Sequence, residues 1–103
     1  MRPRKCRLVR SSPTVRFYKP RGVRLMELQV VVLRNEEWEA LLSVDYKGLG
    51  HEAAAKMMGV SRPTFSRILA SGRSSIAKAM AEGAALKIEG GDFKLVDEDK
   101  NNT

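Results

Sequence analysis

The sequence predicts a mainly α domain: a three-helix bundle built on a helix-turn-helix, with a small C-terminal β-hairpin and an extended basic N-terminal arm. Three observations predict it. Residues 51–70, HEAAAKMMGVSRPTFSRILA, have the spacing of two helices joined by a tight turn. Residues 1–24 hold nine Lys or Arg and no acid. Residues 85–96, ALKIEGGDFKLV, alternate around Gly90-Gly91 as a hairpin does. A chain of 103 residues makes one domain with a modest core. It divides into an arm (1–24), a helix-turn-helix domain (25–83), a hairpin (84–96) and a flexible tail (97–103).

In the arm, Pro3, Pro13, Pro20 and Gly22 punctuate the chain, and Val15, Phe17 and Tyr18 suit a short strand. Arg2-Pro3-Arg4-Lys5 resembles basic-proline peptides that lie in narrow minor grooves, though phosphate contact without sequence reading is the simpler role. Residues 25–34 favour a short strand through Val30, Val31 and Val32, with one helical turn at Leu25–Leu28 as the alternative. Asn35 suits an N-cap, with Glu36 and Glu37 in a first turn where the helix dipole favours acids. That helix runs to about Tyr46 and ends at Gly48, with Trp38, Leu41 and Leu42 as core anchors.

The motif's first helix spans 50–58. Ala55 is small where the helices cross, and Gly59 accepts the positive φ of the turn. His51, the only histidine, is expected to be solvated at the helix start. Ser61 then caps a second helix by accepting from the Thr64 amide, and Pro63 lies where a missing N–H costs little. Phe65, Ile68, Leu69, Gly72, Ile76 and Met80 form its apolar stripe, leaving Arg62, Ser66 and Arg67 outward. It runs to Glu82 and stops at Gly83. Gly72 on the stripe suggests a close approach by another helix. The hairpin needs a third strand, from 15–18, from 29–33 or from a second subunit.

The net charge of +7 comes from the first 24 residues, since the rest nearly cancels. A basic arm on a near-neutral globule points to a polyanion, with a solubilising tail as the plain alternative. Glu36, Glu37, Glu39 and Asp45 make the first helix acidic, whereas Arg62, Arg67, Arg73 and Lys78 make the recognition helix basic. One cysteine, Cys6, excludes an internal disulfide and fits a reducing cytoplasm. One Cys and one His make no four-ligand zinc site, and neither a signal peptide nor a membrane span is visible. No catalytic constellation or cofactor motif appears, which argues against an enzyme.

The segments PRKCR (3–7), YKPRG (18–22), MMGVSRPTFSRIL (57–69) and ALKIEGGDFKL (85–95) resemble a small prokaryotic family of predicted DNA-binding proteins, domain of unknown function 134. The helical part, EWEALLSVDYKGLGHEAAAKMMGVSRPTFSRIL, also resembles region four of bacterial sigma factors, which reads a promoter element with its second motif helix. The resemblance implies base-reading candidates at Ser61, Arg62, Thr64, Ser66 and Arg67. Departures stand at Gly50, Ser43 and Gly72, where related chains carry Ser or Thr, a basic residue and Ala.

The leading expectation is a transcriptional regulator that binds double-stranded DNA. Arg62, Arg67 and Arg73 face bases or phosphates, and Arg2, Arg4, Lys5, Arg7 and Arg10 of the arm add salt-sensitive affinity. Deleting residues 1–10 is expected to weaken binding to all sequences alike. The alternative is a sigma-like module that docks on RNA polymerase or another protein through the acidic helix. RNA binding ranks lower, because only Phe17 and Tyr18 are available near the arm for stacking. A homodimer is compatible with the motif, with the hairpin and the Ile76–Met80 face as candidate contacts.

Overall fold

A computed structural model describes residues 6–10, 12–91 and 93–95. Strands β1 (Arg7–Val9), β2 (Phe17–Tyr18) and β3 (Val30–Leu33) precede helices α1 (Asn35–Leu41), α2 (His51–Met58) and α3 (Arg62–Glu82). Strands β4 (Ala85–Ile88) and β5 (Phe93–Leu95) follow them. The core joins α1, α2 and α3 through Ala40, Ala54, Ala55, Met58, Phe65, Ile68 and Leu69.

The motif forms as its spacing predicts. Gly59 takes φ +70° at the end of α2. The Ser61 hydroxyl accepts the Thr64 amide at 3.3 Å, and Gly83 closes α3 at φ +64°. Gly72 is the close approach: a Cβ there would stand 3.2 Å from Glu37 Cβ and from Leu41 Cδ1. One end of α1 departs from expectation. Arg34, not Asn35, is the N-cap, and its N–H donates to Glu37 Oε1 at 2.9 Å. Asn35 instead lies inside the helix, and its side chain donates to Gly90 O at 2.9 Å. At the other end α1 widens into a π-helical turn, Leu42–Tyr46, in which Lys47 N–H reaches Leu42 O at 2.9 Å.

The hairpin does not form. β4 lies between β2 and β3, antiparallel to the first and parallel to the second. β5 pairs parallel with β1 in a separate sheet, Arg7 opposite Phe93. The third strand sought in 15–18 or 29–33 is therefore supplied by both. The reason lies at Gly90-Gly91, whose backbone docks on the start of α1. Gly90 O accepts the Asn35 N–H at 3.2 Å, and a Cβ on Gly91 would collide with the Glu36 carboxylate. The glycines lead the chain across α1 instead of folding it back.

Nor are the described residues of 1–24 an extended arm. Val9 is buried, β1 packs on α1 and α2, and Leu8 lies against Gly59. Arg10 donates to Met57 O at 3.0 Å, satisfying a carbonyl at the C-terminal end of α2. Arg2, Arg4, Lys5 and the tail 97–103 lie outside the described residues. Among the described residues no helix is long and apolar enough to cross a membrane.

The tight crossing yields a stability expectation. Gly72→Val should lower stability by about 1–3 kcal/mol, because the added methyls meet α1 at Glu37 and Leu41. Chemical denaturation that shows no loss would mean the two helices separate freely there.

Candidate nucleic-acid interface

Helix α3 supplies the candidate surface, and α1 fixes its position. The contact between them is polar at its centre. Glu37 is 2 % exposed, yet Arg34 N–H, Arg34 Nη2 at 2.8 Å and the Ser71 hydroxyl all donate to its carboxylate. Burial raises the Glu37 pKa, but the Ser71 and Arg34 hydrogen bonds and the Arg34 charge outweigh it and hold the group below its ordinary value of 4.5. Glu36 and Glu39 are buried as well. Three of the four carboxylates of the acidic segment thus turn into the protein, and Asp45 alone of the four stays exposed. Periodicity could not reveal this, since Glu reads as a solvent residue unless its counter-charges are known to be near.

Arg7, Arg34, Thr64, Arg67, Ile68 and Ser71 line a polar cleft of about 380 Å³ beside the first half of α3. A second cleft shares Arg7 and Thr64 and adds Gly59, Val60 and Ser61. Four sequence candidates, Arg7, Ser61, Thr64 and Arg67, are therefore brought together, and β1 is the element that carries Arg7 there. Arg62 lines a separate cleft with Lys56 and Glu52. Arg62 and Arg67 are exposed, and Ser66 is half-buried.

Arg73 does not join them. Its guanidinium forks onto Asp45, Nε to Oδ2 at 3.1 Å and Nη2 to Oδ1 at 2.7 Å. The hydrogen bond from Arg73 leads the causes that lower the Asp45 pKa. Sequence reasoning also missed Arg34 and Ser71 in the cleft. The Arg34–Glu37 spacing was the available signal, as an i,i+3 pair astride a helix start.

Two other expectations change. His51 is half-buried and stands edge-on to Phe65, with ring centroids 5.7 Å apart, instead of being fully solvated. Trp38 is half-buried, outside the central core. With Tyr18, Tyr46 and Ile76 it lines an apolar cavity of about 520 Å³ between α1, α3 and the sheet. Among the described residues no three His, Cys, Asp or Glu side chains group as metal ligands.

A family model described as "Protein of unknown function DUF134" matches residues 1–96, and the chain belongs to that family. A UPF0251 protein of Pelotomaculum thermopropionicum is 53% identical over 95 residues, covering 92% of this chain and 72% of the relative. One from Thermoanaerobacter pseudethanolicus is 48% identical over 99 residues, covering 96% and 84%. One from Rhodospirillum rubrum is 51% identical over 90 residues, covering 87% and 63%. No solved structure matches.

The Glu37 site gives a signed pH dependence. Because its pKa is lower folded than unfolded, its contribution is complete above about pH 4.5 and is lost as pH falls through the lower folded value. Glu37→Gln should cost about 2–4 kcal/mol at pH 7. Urea titrations should find the gap between wild type and variant narrowing at acid pH, and a gap constant with pH would rule the carboxylate out as its source.

Proposed function

We propose that this DUF134 family member is a sequence-specific DNA-binding protein, a transcriptional regulator that reads the major groove with the helix beginning at Ser61. The observation that carries the reading is the outer face of α3. Arg62 and Arg67 stand exposed just beyond a capped helix N-terminus, and Arg7 is delivered beside Arg67 by a separate strand. Guanidinium groups so presented can fork onto guanine O6 and N7, while Ser61, Thr64 and the first amides of α3 suit phosphate. The resemblance of the helical sequence to sigma region four supports the same reading, since it implies that the second motif helix reads DNA. Arg73 is left out of this recognition set, because its guanidinium forks onto Asp45. The protein acts by binding and not as an enzyme.

A second reading, a module that docks on RNA polymerase or another protein, draws support from the apolar cavity of Trp38, Tyr46 and Tyr18. Its contact surface is then this groove and not the acidic side chains of α1.

Selection of bound duplexes from a random pool at two salt concentrations tests the first reading. An enriched motif that survives the higher salt supports it, and binding without enrichment refutes it. Arg67→Ala should cost about 1–3 kcal/mol of discrimination at one position of the site. Arg7→Ala should weaken all duplexes alike and lower the salt slope by about 1. Arg73→Ala should leave both unchanged. Deleting residues 1–10 is not an equivalent test, since it removes β1 and with it the packing of Val9 and Leu8.

A further inference from the structure

Among the described residues strand β3 is an edge of its sheet, with β4 on one side only. In a parallel ladder, alternate residues turn both backbone groups toward the neighbour. Ala85 N–H donates to Gln29 O at 2.8 Å and Glu89 N–H to Leu33 O at 3.1 Å, so residues 29, 31 and 33 face β4. Val30 and Val32 therefore direct their N–H and C=O groups outward. The two residues are 45% and 43% exposed. Leu25 and Met26, just upstream, are exposed too.

Proteins usually blunt such an edge with Lys, Pro, a bulge or a covering element. From Leu28 to Leu33 the sequence is LQVVVL, with no charge, proline or glycine. A bare, β-branched edge of this kind is a template for another strand.

We propose that β3 pairs antiparallel with β3 of a second copy of this chain, about a two-fold axis at Val31, joining two three-stranded sheets into one. The register follows from the outward groups. Val30 of each copy lies opposite Val32 of the other, and the two pairs exchange every outward N–H and C=O with no group left over. The same register sets exposed valine against exposed valine across the seam. Charge also selects this surface for self-association. A chain of net charge +7 resists meeting itself through its basic faces, whereas this seam is uncharged on both sides. The inference stands on the strand edge and does not rest on DNA recognition.

Sedimentation of the full chain without DNA tests it. Wild type should be a concentration-dependent dimer, and Val32→Lys should weaken dimerisation by about 100-fold or more, with an unchanged circular dichroism spectrum. Independently, Val31→Cys in a Cys6→Ser background should form an inter-chain disulfide on mild oxidation, because Val31 faces its own counterpart in this register. A wild type that stays monomeric at millimolar concentration would overturn the proposal. So would a dimer that survives Val32→Lys unchanged while the Val31→Cys chain fails to cross-link.

Discussion

The buried carboxylate of Glu37 is the interaction on which the arrangement of this molecule depends. Three donors from two elements meet on it: the Arg34 amide, the Arg34 guanidinium and the Ser71 hydroxyl. An ionised group at 2 % exposure persists only when such partners replace its water. They do so because α1 and α3 approach closely, and they approach closely because residue 72 has no side chain. Backbone space, charge and hydrogen bonding at this crossing therefore specify one position of α3 relative to α1. The outer face of α3 inherits its orientation from that crossing.

The same logic alters the meaning of the basic N-terminal region. Taken as composition, it reads as an electrostatic footprint for a polyanion. In the fold, several of its charges serve the protein itself. Arg10 holds a carbonyl of α2, Arg16 bonds Ser12 and Asn35, Lys19 bonds Val23 O, and Arg24 pairs with Glu27. Exposed pairs such as Arg24–Glu27 contribute little to stability, but each narrows where its cation points. Charge beside the outer face of α3 is placed by a strand. Arg7 reaches the first turns of α3 because β1 is paired, not because an arm is free to wander.

What was legible in the sequence was local. The Ala55–Gly59–Ser61 spacing fixes two helix ends and a turn within a few residues, and α3 runs from Arg62 to the glycine that stops it, as read. Strand existence was also legible, since Phe17–Tyr18 is aromatic, Val30–Leu33 is rich in β-branched residues, and the apolar residues of Ala85–Ile88 alternate ahead of Gly90-Gly91. Strand partners were not. Gly90-Gly91 carries a hairpin signature, and only the docking of that turn on Asn35 and Glu36 sends β5 to β1 instead. Inward Glu36, Glu37 and Glu39 escaped for a similar reason. Their burial depends on groups such as Ser71, 34 residues from Glu37. Arg73 looked free because its partner, Asp45, is supplied by a π-helical turn that no periodicity announces.

These non-local links make the motif dependent on both ends of the described chain. Leu8 of β1 lies against the αL glycine that turns α2 into α3. β1 in turn has β5 as its strand partner, 86 residues away from Arg7 to Phe93. Closing so long a loop costs little more entropy than closing one of half the length, because the cost grows only with the logarithm of length. It does, however, delay the contact, since remote strands pair late. Helices α2 and α3 rest on local signals, while the buttress under their turn rests on a non-local strand pair. The turn that sets the angle between the two helices is thus buttressed by a contact remote in sequence. Disturbance at β5 should therefore reach the α2–α3 turn through β1 without altering a single residue of the motif.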